Sequence, residues 1–272
     1  MIFNKYLEAM ELSAPKEPNL AFLNTFTIQH IERFTFNNLA VLLCQDILLD
    51  LPAIFNKVVL SGAGGYCFEH NKLAYEALSH WGFNVRLLLA RVINNNERPV
   101  PRTHRITLVE LNQQRYLIDV GFGAACPTAP IHLDNPLPQQ AGFENYQIQT
   151  NDRGEYELWQ CHEDGPFLLY RFDLAQYTDA DCELGHFYSH KHPNAAFKNN
   201  LVVSKKTSAS AISIANQRLK YSSASSTNVE LIESSKALFE ILTNLFQLQV
   251  EQAVCEFLFE HLIAPKIEHS KV

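Results

Sequence analysis

Cys67, His104 and Asp119 are the three residues of this chain whose types and settings could together perform nucleophilic chemistry. Cys67 lies in Gly64-Gly65-Tyr66-Cys67-Phe68-Glu69, where paired glycines loosen a turn ahead of an amphipathic segment. Leu73, Ala74, Ala77, Leu78 and Trp81 follow at helical spacing, and Gly82 supplies a stop. The thiol is therefore expected in the first turn of a helix, where unpaired N–H groups and the helix dipole favour an anion and lower a thiol pKa.

A base and an orienting group lie downstream. His104 heads the alternating run Ile106-Thr107-Leu108-Val109-Glu110-Leu111, and Arg115 to Gly123 reads as the returning strand of a hairpin, with Asp119 near its end. Register decides whether the two meet. If Leu111 pairs with Arg115, Asp119 faces Thr107 and points away from His104. A four-residue turn pairing Glu110 with Arg115 sets Asp119 opposite Ile106, diagonal to His104 at roughly 7 Å. We expect the second register.

Three segments now carry a resemblance. Gly-Gly-Tyr-Cys-Phe-Glu at 64–69, Pro-Arg-Thr-His at 101–104 and Asp-Val-Gly-Phe-Gly at 119–123 resemble the signature segments of the arylamine N-acetyltransferases, in order and spacing. Phe36-Asn37-Asn38-Leu39 is similar to the family's Phe-Glu-Asn-Leu, and Gly82 to Arg86 with Ala90-Arg91-Val92 extends the likeness. The resemblance implies a Cys67, His104, Asp119 triad and acetyl transfer from acetyl-CoA, a co-substrate, to an arylamine, arylhydrazine or N-hydroxyarylamine. It implies that Phe36, Thr103, Gly121 and Phe122 line the acyl and amine pocket, although Phe122 could equally be core. The chain departs from the family pattern at Ala63, usually Arg, and Asn37, usually Glu. We read these as one linked change, since losing one member of a buried ion pair strands a charge whereas losing both can be nearly neutral. Arginine restored at position 63 alone is then expected to destabilise.

The chemistry explains why a thiol is wanted. A thioester donor exchanging onto another thiolate keeps the activation that an amine needs for its own attack. An imidazolium at His104 can stabilise that thiolate, and Asp119 can hold the ring in one tautomer. Thiolate abundance alone gains little, because nucleophilicity falls as pKa falls, with a Brønsted slope of about 0.4–0.5. The advantage lies in a better leaving group and a placed proton acceptor, in a ping-pong cycle through an acetyl-cysteine thioester. The Cys67 N–H is a candidate oxyanion donor. A Cys-His-Asp hydrolase and an acyltransferase or amide synthase using a larger acyl donor are the alternatives, because only water exclusion separates transfer from hydrolysis.

The remaining residues set the frame. Residues 1–82 are mainly helical in pattern and carry the nucleophile; 83–197 are short alternating runs that read as a β-rich domain with the His and Asp. Residues 198–227, rich in Ser, Ala, Thr and Lys over 204–227, read as a linker in which Ile212, Ile214, Leu219 and Tyr221 alternate enough for one or two strands. Residues 228–272 carry two apolar helical stripes. The resemblance turns this into an α+β fold of three domains: a helical N-terminal domain, a β-barrel middle domain and an α/β C-terminal lid around a cysteine-protease/transglutaminase-like core.

Charge and cysteine usage narrow the partners. A net charge of −7, from 22 basic and 29 acidic residues, argues against nucleic acid, and no basic run occurs. CoA is anionic, so it needs a local basic patch; Arg102, Arg105, Lys205, Lys206, Arg218 and Lys220 are available. Six cysteines without a C-x-x-C motif fit a reducing compartment, with Cys44, Cys126, Cys161, Cys182 and Cys255 read as small buried hydrophobes. The N-terminus lacks the apolar core of a secretory signal and no long apolar stretch occurs, so a cytoplasmic location without membrane association is expected. His186, His190 and His192 fall in a segment that reads as a loop, without an adjacent carboxylate and with Lys191 between two of them, so no metal site is expected.

Overall fold

Cys67, His104 and Asp119 stand apart in sequence, so the fold has to bring a helix start and a hairpin together. The computed structural model describes residues 2–269. Helices α1 (Ile2–Ala9), α2 (Leu20–Arg33), α3 (Leu39–Leu42), α4 (Leu51–Phe55) and α5 (Cys67–His80) occupy the first part of the chain, with the two-residue strand β1 (Phe36–Asn37) between α2 and α3. Asn19 starts α2 by accepting from the Phe22 N–H, and Asp50 starts α4 by accepting from the Ala53 N–H, each satisfying one orphan donor.

Eight strands follow in one antiparallel sheet: β2 (Asn84–Val92), β3 (His104–Leu111), β4 (Gln114–Ile118), β5 (Ile131–His132), β6 (Gln139–Ala141), β7 (Glu144–Thr150), β8 (Tyr156–His162) and β9 (Gly165–Phe172). Their order is β5-β4-β3-β2-β9-β8-β7-β6, and β5 returns close to β6 and β7, so the sheet curls into a nearly closed barrel. Its interior holds Leu88, Ile106, Leu108, Leu117, Tyr146, Leu158, Tyr170 and Phe172. The outer face of β3 and β4 packs on the helices: Val109, Tyr116 and Ile118 share a core with Tyr6, Phe26, Leu73, Ala77 and Leu78. The helices and the hairpin thus share one core, which fixes α5 against β3.

Helices α6 (Asp179–Lys191) and α7 (Ala196–Asn199) lead to β10 (Val202–Lys206), β11 (Ser210–Ala215), β12 (Arg218–Ser223) and β13 (Thr227–Leu231). The 198–227 stretch is therefore no linker. Its strands join β1 in a five-stranded sheet, order β1-β10-β11-β12-β13, and Val203, Ile214 and Leu219 bury one face beneath α8 (Ser235–Glu240) and α9 (Gln252–Leu258). Ser, Lys and Thr interleave with these apolar positions and fill the turns, which is why composition suggests a linker with only one or two strands. Helix α10 (Ala264–His269) ends the described chain. Among the described residues, no helix is long and apolar enough to cross a membrane.

The segment with His186, His190 and His192 is also not a loop. Thr178 and Asp181 cap the start of α6, the Asp181 carboxylate accepting from the Thr178 N–H at 2.8 Å, and the helix runs through His190. His186 and His190 stack on one face, whereas His192 stacks on Tyr188. No group of three or more His, Cys, Asp or Glu among the described residues could hold a metal ion. The cysteines also divide differently from expectation: Cys126, Cys182 and Cys255 are buried, but Cys161 is half-buried and Cys44 exposed.

Positions 37 and 63 are in contact. The Asn37 amide donates to the Ala63 carbonyl at 2.9 Å and its oxygen accepts from the Leu39 N–H at 3.2 Å, so a neutral bridge ties β1 to the turn ahead of Cys67. Burial is one-sided, with Asn37 buried and Ala63 exposed. An arginine at 63 alone can therefore stay in water, which corrects the expectation that it destabilises, and position 37 is the informative one. Asn37→Glu would set a buried carboxylate against the Ala63 carbonyl and lower stability by about 1–3 kcal/mol, with Ala63→Arg in the same chain recovering part of the loss. Urea unfolding of the single and double variants measures this; a more stable Asn37→Glu protein would contradict it.

Candidate active site

Helix α5 begins at Cys67 because the turn before it is held at several points. Gly64 has φ +66° and lies so close to the Thr35 carbonyl that a Cβ would meet it at 2.1 Å, so only glycine fits. Glu69 is buried; its carboxylate accepts from the Tyr66 N–H at 3.2 Å and pairs with Lys57 at 2.7 Å. Burial raises the Glu69 pKa, and Lys57 with the Tyr66 N–H opposes that rise. The Tyr66 hydroxyl bonds His186 of α6, so the residue before Cys67 is anchored from both sides.

The hairpin adopts the expected register, Glu110 opposite Arg115 and Thr107 opposite Ile118. The turn is tighter than four residues. Leu111 pairs with Gln114, and Asn112 and Gln113 at φ 52° and 62° make a two-residue turn with both central residues left-handed. Asp119 follows directly on β4, and the His104 Nε2–H donates to its Oδ2 at 2.6 Å, both residues being buried. Nδ1 is then the ring nitrogen left for other partners. The Phe122 ring meets His104 edge-on at 4.9 Å and Tyr170 flanks it at 5.1 Å.

Sequence patterning does not reveal Asn71, which ties these parts together. One helical turn after Cys67, its amide donates to the Arg105 carbonyl at 2.7 Å and to Asp119 Oδ1 at 2.9 Å, while its oxygen accepts from the Val120 N–H at 2.9 Å. Only its place on the Cys67 face of α5 could have pointed to it. Gly121 permits the close approach, since a Cβ there would lie 2.8 Å from the Asn71 amide and 3.0 Å from Cys67 Cα. Burial would raise the Asp119 pKa, but His104, Asn71 and the Gly121 N–H hold it below the ordinary carboxyl value.

Cys67 itself is buried, and among the described residues its S–H donates to the Thr103 carbonyl at 3.6 Å. Burial, followed by the nearby Asp119 carboxylate, pushes the thiol pKa well up, while the Phe68 and Arg105 N–H groups oppose that rise. This reverses the lowering expected from the helix start: desolvation outweighs the dipole, so a thiolate here needs a cation beside it. Cys67 and His104 open into one cavity of about 390 Å³, also lined by Phe36, Thr103, Gly121 and Phe122, with Tyr188, Phe197, Asn200 and Asn216 across it. Asp119 lies behind His104, outside that lining.

A larger groove of about 890 Å³ holds none of the three residues. Arg91 and Ile93 line it, whereas Val92 and Asn94 line the smaller cavity, so alternation along β2 puts the two on opposite faces. Of the basic side chains considered for CoA, Arg102 pairs with Asp173, Arg105 with Asp179 and Lys206 with Glu144, and Lys205 bonds Gln247. Arg218 and Lys220 are exposed.

A depressed carboxyl stabilises the fold above its unfolded pKa, about 3.9, and loses that contribution as pH falls through the folded value. The stability gap between the native protein and Asp119→Asn should therefore be constant from neutral pH to about pH 5 and narrow below about pH 4. Urea unfolding at a series of pH values measures it. A gap that widens in acid would contradict the arrangement.

Known proteins share this sequence pattern and fold. A sequence model of the N-acetyltransferase family matches residues 19–255. The arylamine N-acetyltransferase of Escherichia coli (strain K12) is 36% identical over 212 residues, 74% of this chain and 72% of that protein. The solved arylamine N-acetyltransferase from Salmonella typhimurium superposes with a TM-score of 0.87 at 28% identity, covering 93% of this chain and 96% of that one. The Mycobacterium marinum enzyme in complex with CoA does so with a TM-score of 0.90 at 26% identity, covering 96% and 99%. The chain belongs to the arylamine N-acetyltransferase family and is an acetyltransferase.

Proposed function

We propose that this enzyme transfers an acetyl group from acetyl-CoA to an arylamine, arylhydrazine or N-hydroxyarylamine by a ping-pong mechanism through acetyl-Cys67, with Cys67, His104 and Asp119 as the catalytic triad. The observation that carries the proposal is the His104 to Asp119 hydrogen bond at 2.6 Å, with His104 and Cys67 lining the same cavity. The reading agrees with three parts, a helical part with the nucleophile, a barrel with the base and a C-terminal α/β part covering the cleft, around a cysteine-protease-like core. The CoA named with the M. marinum enzyme supports acetyl-CoA as co-substrate.

In the first half-reaction the Cys67 proton passes to His104 Nδ1, and the sulfur attacks the thioester carbonyl. The tetrahedral oxyanion is met by the Cys67 N–H, which opens α5; the Thr103 N–H already donates to Ala90 at 3.1 Å. The bond to the CoA sulfur breaks, and CoA leaves with the proton from His104. In the second half-reaction the amine attacks acetyl-Cys67, His104 takes its proton, and the Cys67 thiolate departs. Asp119 keeps Nε2 protonated throughout, so Nδ1 remains the working nitrogen. Phe36, Thr103, Gly121 and Phe122 would wall the acyl and amine site, and the aromatic lining suits a flat ring.

Incubation with acetyl-CoA alone should release free CoA and add one acetyl mass to the peptide containing Cys67. An arylamine should then discharge it faster than water does. Cys67→Ala should abolish labelling, and Asp119→Asn should slow it by about 10²–10⁴-fold through the wrong tautomer. Discharge by water as fast as by amine would make the protein a hydrolase, and labelling only by longer acyl donors would make it a different acyltransferase.

A further inference from the structure

Three helices send buried polar side chains toward the Cys67 turn in one unbroken line. The Tyr6 hydroxyl of α1 bonds His30 Nδ1 of α2; His30 Nε2 lies 2.8 Å from His70 Nδ1 of α5; His70 Nε2 lies 3.1 Å from the Gly65 carbonyl. All three side chains are buried. With both rings neutral the proton positions have a single solution. A carbonyl can only accept, so His70 carries its proton on Nε2 and accepts at Nδ1; His30 must then donate from Nε2 and accept at Nδ1 from the Tyr6 O–H. An imidazolium at either ring would keep the line only by turning the Tyr6 oxygen from donor to acceptor. Burial drives both rings toward the neutral form, His70 down to about 4.

The line ends on a stretch of the turn that has no side chains of its own. Gly64 and Gly65 carry no side chains, and the Gly65 carbonyl otherwise takes one hydrogen bond, from the Asn37 N–H at 2.7 Å. Gly65 O belongs to the peptide leading into Tyr66, the residue before Cys67. A second donor fixes the plane of that peptide and hence where α5 starts. The His70 ring also stacks with Phe36, a wall of the cavity, at 6.2 Å. Hydrogen bonds in such a chain polarise one another, so the donor reaching Gly65 is stronger for having His30 and Tyr6 behind it.

We infer that Tyr6, His30 and His70 form a positioning relay that locks the Gly65 carbonyl and thereby holds Cys67 in attacking position. The inference rests on Cys67 being the nucleophile, but not on the identity of acyl donor or acceptor. His70 is the member in contact with the turn; His30 and Tyr6 act through it.

The test reads the rate at which iodoacetamide alkylates Cys67, followed by mass of its peptide, so that it stands even if acetyl-CoA is not the donor. His70→Leu should slow alkylation by about 10-fold, because small misplacements of a reacting group cost factors of 10 to 100. His70→Gln, whose amide can still donate to Gly65, should stay within about threefold of the native rate on the same reasoning. The triple variant Tyr6→Phe, His30→Leu, His70→Leu removes the stranded polar groups together, so its melting temperature should exceed that of His70→Leu while alkylation stays slow. A purely structural role predicts instead that rate returns with stability, and a triple variant alkylated at the native rate would overturn the inference. So would ¹⁵N spectra of the native protein at neutral pH with either ring protonated on Nδ1.

Discussion

A thiol with almost no access to water cannot ionise unless something nearby takes its proton and remains as a cation, and that constraint organises the rest of this molecule. Cys67 sits at the start of a helix, a setting that usually favours the anion, yet burial and the neighbouring Asp119 carboxylate push its pKa up. In the proposed reaction the balance is restored only by an imidazolium at His104, whose charge Asp119 offsets through a 2.6 Å hydrogen bond. The site is thus set for a proton to move within it rather than out to solvent. In the proposed cycle the same dryness would protect an acyl-thioester from water until an amine arrives.

The surrounding structure makes sense as the means of holding three distant residues to that geometry. Asn71 spans the gap, with one amide touching the Asp119 carboxylate, the Arg105 carbonyl and the Val120 N–H, so the helix start and both hairpin strands are joined by a single side chain. Gly121 lets the segments touch. On the other side of the turn, Lys57 and Glu69 supply a partly buried ion pair, and Asn37 bridges to Ala63. This chain holds the turn with Lys57, neutral amides and a histidine pair.

Much of the site was legible because it is local. A cysteine ahead of an apolar helical stripe announces a helix start, and the hairpin register follows from the need to place Asp119 beside His104, which pairing of Glu110 with Arg115 does. What escaped reading depends on contacts across the fold. Asn71 meets Asp119 across 48 positions, and no periodicity marks it. One or two strands within residues 204–227 were legible from the alternation of Ile212, Ile214, Leu219 and Tyr221, but their pairing with β1 into a five-stranded sheet, with Val203, Ile214 and Leu219 buried, is set by contacts across the fold. His186 sits in a helix set by a Thr178 and Asp181 cap that lies outside the histidine cluster. For Cys67 the helix dipole can be inferred from sequence, whereas the burial that opposes it belongs to the assembled core.

The most direct measurement is the ultraviolet absorbance of the Cys67 thiolate against pH, taken as the difference between the protein and its Cys67→Ala variant, with and without His104→Gln. With His104 in place a thiolate signal should be present at neutral pH, and in the His104→Gln protein it should be absent until well above the ordinary thiol value of about 8.5. A thiolate that titrates identically in both proteins would contradict the account, because the buried sulfur would then ionise without the imidazole to receive its proton.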